Sequence, residues 1–172
     1  MRRLLADTNF YGLLAKDSGR LKVVGGIKSA GTIIIYGFKI IRDELRDIPK
    51  KIKVEGKSLR IDLLNLYDEV TWKHNLEFTN TIERRADDYY RTYREFGGSK
   101  SKNEIVNDFV IVACASLNNL DIVVSDDERS MLTENAIRAY NLINSVIGKR
   151  TPQFISFKSF KKRLRGESNE LF

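Results

Sequence analysis

Short continuous apolar runs and longer stretches of helical spacing alternate along the chain. The runs are aliphatic or β-branched and are bounded by polar residues, which is typical of buried strands. They are RLLAD at 3–7, TIIIYG at 32–37, DIVVSDD at 121–127 and QFISF at 153–157. Helical spacing is found at 9–17, 38–48, most of 58–97, 103–119 and 133–148. The Gly-rich stretch 22–32 predicts a loop or a broken helix, and 50–57 a charged connection.

This order of elements predicts an α/β fold. Strands that alternate with helices form a mainly parallel sheet, and helices then cover both faces in a three-layer α/β/α arrangement. A length of 172 residues suits a single domain over 1–172. The helical segment at about 58–97 is expected to be inserted into this plan or to elaborate it. The basic C-terminal tail, 158–172, is expected either to bind phosphates or to be a solvated end.

Charge and residue usage narrow the function classes. Lys and Arg number 30 against 23 Asp and Glu, a formal net charge of +7, which favours a polyanionic partner such as nucleic acid or an acidic protein. The single cysteine excludes a disulfide within the chain, and the single histidine argues against His-rich zinc sites and a Ser-His-Asp triad. No apolar run approaches the roughly 20 residues that cross a bilayer, so we expect a cytoplasmic protein with no membrane partner.

Acidic residues lie close to the ends of the predicted strands. Asp7 ends the first strand, and Asp126 and Asp127 end the third. Glu44 lies in the helix after the second strand, and Asp108 lies early in the helix before the third. Sites in open α/β sheets form beyond the carboxyl ends of the strands, so these acids are expected to converge at one edge.

Most of these acids also have a purely structural interpretation. Asp7 is able to cap the helix that follows it, and Asp126 and Asp127 the helix after them. Glu44 lies in RDELRD, where a charged and solvated helix face is routine. Asp108 is different, because the apolar FVIVACA follows it directly and a buried acid needs a partner. The residues alone leave both a cap and a metal ligand open for Asp7.

A cluster of carboxylates is chemically reasonable if a cation compensates its charge. Crowded carboxylates otherwise repel one another and raise their own pKa values. Mg²⁺ and Mn²⁺ are hard ions that take oxygen ligands, including carboxylates and phosphate oxygens. One or two such ions are able to activate a water and to stabilise charge on a phosphodiester. The acids therefore predict a Mg²⁺ or Mn²⁺ site.

The ordered set of motifs LLADTN, IIRDEL and NDFVIVACASLNNLDIVVSDD resembles the PIN domain, in particular the VapC-type toxin ribonucleases. The likeness covers 3–48 and 103–131. It implies that the catalytic, metal-binding acids are Asp7, Glu44, Asp108 and either Asp126 or Asp127. Ser125-x-Asp127 fits the Thr/Ser-x-Asp form of the family, which favours Asp127, and Asn9 corresponds to the small polar residue that helps to hold the first Asp.

The same resemblance implies an activity and partners. The activity is cleavage of RNA by in-line attack of a metal-activated water, which leaves 5′-phosphate and 3′-hydroxyl ends. Such proteins commonly dimerise and are held inactive by an antitoxin, so a homodimer and an antitoxin partner are expected. The basic residues Lys158, Lys161, Lys162, Arg163 and Arg165 are candidates for binding the RNA backbone. Two other functions stay open: a non-catalytic module that binds nucleic acid or protein, and a housekeeping RNA-processing nuclease.

Overall fold

The computed structural model describes residues 1–54 and 56–167. Its strands are β1 (Arg2–Ala6), β2 (Ile33–Phe38), β3 (Lys53–Val54), β4 (Lys57–Ser58), β5 (Asn75–Leu76), β6 (Ile122–Val124) and β7 (Gln153–Ile155). Its helices are α1 (Thr8–Lys16), α2 (Arg20–Ser29), α3 (Lys39–Asp47), α4 (Leu59–Thr71), α5 (Asn80–Glu95), α6 (Lys102–Leu117), α7 (Glu134–Val146) and α8 (Phe157–Leu164). None of the helices in these described residues has the length and apolar character of a membrane span.

β1 is the central strand of a five-stranded parallel sheet. The strand order is β5-β2-β1-β6-β7, and every neighbouring pair is parallel. Leu4 of β1 is level with Ile35 of β2 on one side and with Ile122 of β6 on the other. Leu4, Leu5 and Ala6 are completely buried, as expected for a strand that is covered on both faces. All five strands therefore end at the same edge of the sheet.

Helices on both faces confirm the predicted three-layer α/β/α fold. α5 packs against α6 and α7, whereas α4 packs against α1, α2 and α3. In the first layer Tyr140 meets Tyr89 and Phe109 edge to face, with ring centroids 5.0 Å and 5.6 Å apart. The segment 58–97 supplies α4 to one layer, β5 to the edge of the sheet and α5 to the other layer. This segment is therefore part of the core.

The Gly-rich stretch forms α2, although its sequence predicts a loop or a broken helix. Val23, Val24 and Ile27 are buried on one side of α2, so packing outweighs the weak helix propensity of glycine. Gly26 has a packing reason as well, because a Cβ there would lie 3.1 Å from a methyl group of Leu164. The absence of a side chain lets α8 approach α2 closely.

The predicted basic tail begins with an ordered helix, α8. Phe157 and Phe160 are buried against Phe10 of α1, with both ring centroids 5.4 Å from that of Phe10. The Ser156 hydroxyl caps α8 by accepting a hydrogen bond from the Ser159 amide at 3.1 Å. Apolar anchors hold the first part of this segment in place, and residues 168–172 of the predicted tail lie outside the described residues.

Candidate active site

Asp7 follows β1 directly and is the most enclosed of the predicted acids, with 4% of its surface exposed. Its Oδ1 accepts a hydrogen bond from the Asn9 amide at 2.6 Å, which caps α1. Its Oδ2 accepts a hydrogen bond from the Ser125 hydroxyl in the loop after β6. Capping therefore uses one carboxylate oxygen and leaves the other for contacts across the edge of the sheet.

The loop after β6 fixes the orientation of Asp127. Its Oδ1 accepts hydrogen bonds from the amides of Arg129 at 2.9 Å and Ser130 at 3.0 Å, and its Oδ2 accepts one from the Ser130 hydroxyl. The Ser125 oxygen, which donates to Asp7, also accepts a hydrogen bond from the Asp127 amide at 3.1 Å. Ser125 thus links the ends of β1 and β6.

Glu44 and Asp108 are tied to the same network by polar neighbours. Glu44 of α3 accepts hydrogen bonds from the Thr8 hydroxyl and, at 2.6 Å, from the Asn107 side-chain amide. Asp108 of α6 follows Asn107 and lies close to Ser130, whose hydroxyl donates to Asp127, and to the other three acids, whose charges act on it. Four acids from different elements therefore meet at the carboxyl edge of the sheet, with polar residues between them.

Burial and mutual repulsion raise the pKa of two of these acids. Burial is the main cause at Asp7, whose pKa rises to about 6 although hydrogen bonds oppose the rise, and nearby negative charges add to it. At Asp108 burial again dominates and raises the pKa to about 7, with further increases from the other three acids. No Arg or Lys within residues 1–54 and 56–167 forms an ion pair with Asp7, Glu44, Asp108 or Asp127.

Asp126 differs from its neighbour Asp127 in its contacts. Its Oδ2 accepts a hydrogen bond from the Phe157 amide at 2.7 Å, which satisfies a free N–H in the first turn of α8. Asp126 is exposed and is not one of the main causes of the raised pKa values of Asp7 and Asp108. The structure therefore places Asp127 with the other acids and gives Asp126 a contact with α8.

The donors at this edge suit a hard divalent cation by their chemistry. They are carboxylate oxygens, with the hydroxyl oxygens of Thr8, Ser125 and Ser130 between them. Among the described residues, however, no group of three or more His, Cys, Asp or Glu side chains is arranged to hold a metal ion. Hydroxyl and amide groups donate hydrogen bonds to several of the carboxylate oxygens instead. The acids therefore have to move closer together before three of them act as ligands of one cation.

A groove of about 730 Å³ leads away from the acids. The loop after β6 and the start of α1 line part of it, including Asp126, Asp127 and Thr8. Side chains of α1, α3 and α4 and their flanking residues form an apolar wall: Leu13, Leu45, Ile48, Leu59 and Leu63. Two exposed cations, Lys16 and Arg129, also line the groove. The groove therefore combines an apolar wall with positive charge.

Three solved structures of similar architecture are VapBC proteins. VapBC2 from Rickettsia felis, bound to a DNA fragment from its promoter, matches with a TM-score of 0.58 and 12% identity over 90% of this chain and 98% of that chain. VapBC from Salmonella typhimurium, also bound to DNA, gives 0.57 and 13% over 91% and 99%. VapBC-1 from nontypeable Haemophilus influenzae gives 0.57 and 16% over 91% and 98%.

This chain has a PIN-like fold. The VapC component of the similar structures is a PIN domain, and identities this low carry the likeness of the fold alone. No protein-family model and no curated protein sequence matches the chain.

The sequence does not predict that three polar residues of this PIN-like fold contact the acids. They are Thr8, Asn107 and Ser130, each of which donates a hydrogen bond to an acid. Thr8 and Asn107 stand directly beside an acid in the sequence, and that adjacency would have identified these two. Asn9 contacts Asp7 through its backbone amide and not through its side chain. Glu104, one turn before Asp108, accepts hydrogen bonds from Ser101 and closes the start of α6.

Proposed function

We propose that the protein is a metal-dependent ribonuclease that cleaves RNA phosphodiester bonds. The proposal is carried by four acids that meet at the carboxyl edge of the sheet with no Arg or Lys partner in the described residues. Negative charge that is concentrated in this way favours a bound cation. Donors that are all oxygen atoms favour Mg²⁺ or Mn²⁺.

Asp7, Glu44, Asp108 and Asp127 would hold one or two such ions. When bound, these ions activate a water and stabilise the charge that develops on a phosphodiester. Ser125 keeps Asp7 and the Asp127 loop in register, because its hydroxyl contacts both. Asp7 and Asp108 lose their protons near neutral pH, so cation uptake releases protons and weakens as the pH falls.

RNA is the proposed substrate because of the charge of the chain and the shape of its surface. The net charge of +7 favours a polyanion. The groove lined by Asp127 and Thr8 also carries Lys16 and Arg129, which would contact the phosphates next to the cleaved bond. A strand of RNA lying in this groove would bring a phosphodiester to the acids.

An antitoxin protein is proposed as the partner that holds the enzyme inactive. The similar solved structures are VapBC complexes. The apolar wall of the groove would be covered by apolar side chains of such a partner, which would at the same time block the path to the acids. Expression alone should then arrest growth, and co-expression with the partner should restore it. A homodimer is a further proposal, which light scattering of the purified protein checks.

One observation favours a different function, a non-catalytic module that binds nucleic acid or protein. In the described residues the acids are held by hydroxyl and amide donors, and no three of them are arranged to hold an ion. A module of this kind would bind RNA equally well with and without divalent ions and would leave it intact. A housekeeping RNA-processing nuclease would share the chemistry proposed above but would not arrest growth.

The experiment that separates these functions measures cleavage of RNA with Mg²⁺ or Mn²⁺ and with a chelator. Wild type should cleave only with the metal, and the products should carry 5′-phosphates. Asp7→Asn and Asp108→Asn keep the size of the side chain and remove its charge, so both should lose cleavage. Full cleavage by either variant, or cleavage by wild type in the chelator, would overturn the proposed mechanism.

A further inference from the structure

The connection between α3 and α4 carries more positive charge than the acids of the described chain neutralise. Residues 50–60 contain five cations, Lys50, Lys51, Lys53, Lys57 and Arg60, and one acid, Glu55, which lies outside the described residues. Within residues 1–54 and 56–167, no carboxylate forms an ion pair with any of these five cations. The lysine hairpin, defined here as 50–54 and 56–58, is therefore a cationic surface.

Backbone hydrogen bonds give the lysine hairpin a defined shape. β3 and β4 are antiparallel, with Lys53 level with Ser58 and Val54 level with Lys57. The Leu59 amide donates to the Ile52 carbonyl at 3.0 Å, and the Ser58 hydroxyl donates to the Lys50 carbonyl at 3.4 Å. The lysines are thus presented on a short two-stranded ribbon, and residues 50–54, 56 and 57 of it are exposed.

The lysine hairpin is attached to the wall of the groove that leads to the acids. Ile48 and Leu59, which flank the hairpin in sequence, both line that groove. The acids beside the groove repel phosphates, so a polyanion needs cations along its path. The hairpin supplies such cations next to Ile48 and Leu59, and Lys16 and Arg129 supply them within the groove.

α8 is the other cationic element, and the chain itself partly neutralises it. Lys161 pairs with Asp17, and Arg165 pairs with Glu167 at 3.8 Å. Arg163 contacts the Gln153 side chain at 3.3 Å. Three of the five cations predicted to bind RNA from this segment therefore already have partners, whereas those of the lysine hairpin have none in the described chain.

We propose that the lysine hairpin binds the phosphate backbone of single-stranded RNA and guides the strand along the groove to the acids. This inference rests on the proposed function, because it identifies RNA as the ligand of the groove. Flexible lysines that neutralise phosphates bind without regard to base sequence. The hairpin would accordingly set the affinity for RNA and not the choice of the cleaved bond.

The test measures binding of a short fluorescent single-stranded RNA in the absence of divalent ions, over a series of salt concentrations. The variant K53Q/K57Q removes two hairpin charges, and K22Q/K73Q removes two exposed charges, from α2 and from the residues just after α4, as the matched control. The hairpin variant should bind on the order of tenfold more weakly, and its slope of log affinity against log salt should fall by roughly 1.4, the value for two lost contacts. The control should match wild type.

Three results would overturn the inference. They are equal affinity of K53Q/K57Q and wild type, equal loss in K53Q/K57Q and K22Q/K73Q, and no binding of RNA by wild type. Loss of affinity for an oligoglutamate peptide with unchanged affinity for RNA would also overturn it and would assign the hairpin to an acidic protein. Cleavage plays no part in this assay, so failure of the hairpin and failure of the ribonuclease proposal are seen in separate measurements.

Discussion

Acids flank β6 on both sides in the sequence. The two ends of the sheet shift the pKa values of acids in opposite directions. Asp121, at the amino end, accepts hydrogen bonds from the Arg3 amide at 2.8 Å and from the Arg150 guanidinium at 2.7 Å. Partial burial opposes ionisation there, but these bonds and the charges of Arg150 and Arg2 lower its pKa. At the carboxyl end the acids have no such cations in the described chain, and the pKa values of Asp7 and Asp108 are raised.

The difference separates an acid that stabilises the fold, Asp121, from the acids that we propose to bind a cation. An acid with its own Arg partner stabilises the fold when it ionises, as Asp121 does. An acid that is crowded by other acids destabilises the unliganded fold when it ionises, and a cation from solution relieves that repulsion. Under the proposed function, the carboxyl end gives up stability for cation binding, a trade-off that is common at functional sites.

The largest expected effect is that substitutions at the two ends of the sheet change the stability of the metal-free protein in opposite directions. Asp108→Asn should lower metal-dependent cleavage by roughly a hundredfold or more, and should raise the melting temperature of the metal-free protein because it removes a repelled charge. Asp121→Asn should leave cleavage unchanged and lower the free energy of unfolding by about 1 kcal/mol. Cleavage assays and thermal denaturation of both variants check this. A drop in stability with Asp108→Asn would contradict the comparison.

Ser125→Ala should give the next largest effect. The variant removes the hydroxyl that bonds Asp7 and the Asp127 loop, so cleavage or metal affinity should fall about 10- to 100-fold. Ser116→Ala is the matched control, since Ser116 is also completely buried but donates to the Arg150 carbonyl near the other end of the sheet. The control should lose stability and keep cleavage. Equal activity in the two variants would show that Ser125 has no role in the site.

The pH dependence should also distinguish the two ends. Asp7 and Asp108 have folded pKa values of about 6 and about 7, above the ordinary value of 3.8, so the folded state holds more protons than the unfolded state in this range. Their contribution to stability is present below pH 3.8 and is lost as the pH rises through about 6 and 7. Metal-free wild type should therefore lose stability relative to Asp108→Asn over this range, and Mn²⁺ should restore it. A gain in stability relative to the variant as pH rises would contradict these raised values.

The smallest effect is expected at Asp126. Asp126→Ala removes the acceptor of the Phe157 amide and should lower the free energy of unfolding by about 0.5–2 kcal/mol, as loss of a helix cap does. Cleavage should change little, whereas Asp127→Asn should reduce it as strongly as Asp108→Asn. Parallel cleavage and denaturation measurements on the two variants check the assignment. A strong loss of cleavage in Asp126→Ala would return Asp126 to the site.

Much of the fold follows from local patterns in the sequence. β1 and β2 are predicted within one residue of their bounds, because fully buried strands are continuous apolar runs. α2 and α8 are missed because they depend on contacts between elements distant in sequence. The local sequence predicts a helix break at Gly26 and the end of a strand at Phe157. In the structure Leu164 packs on Gly26, and Phe157 packs against Phe10.

For the site, the sequence predicts which acids lie near the edge but not what each one contacts. Asp7, Asp126 and Asp127 follow strands that end at the same edge of the sheet, and Glu44 and Asp108 lie in helices near that edge. The contacts that favour Asp127 over Asp126 depend on the start of α8, where the Phe157 amide donates a hydrogen bond to Asp126 and not to Asp127. Motif spacing also does not predict which hydroxyls donate to the carboxylate oxygens, since Ser125 and Asp7 are far apart in the chain.

The central claim is that the acids at the carboxyl end form one divalent-cation site and that Asp121 does not belong to it. Calorimetric titration of Mn²⁺, above the pKa of about 7 of Asp108, tests this most directly. Wild type and Asp121→Asn should bind Mn²⁺ with equal affinity, and Asp7→Asn and Asp108→Asn should show little or no binding. No heat of binding in wild type, or equal binding in all four proteins, would contradict the account.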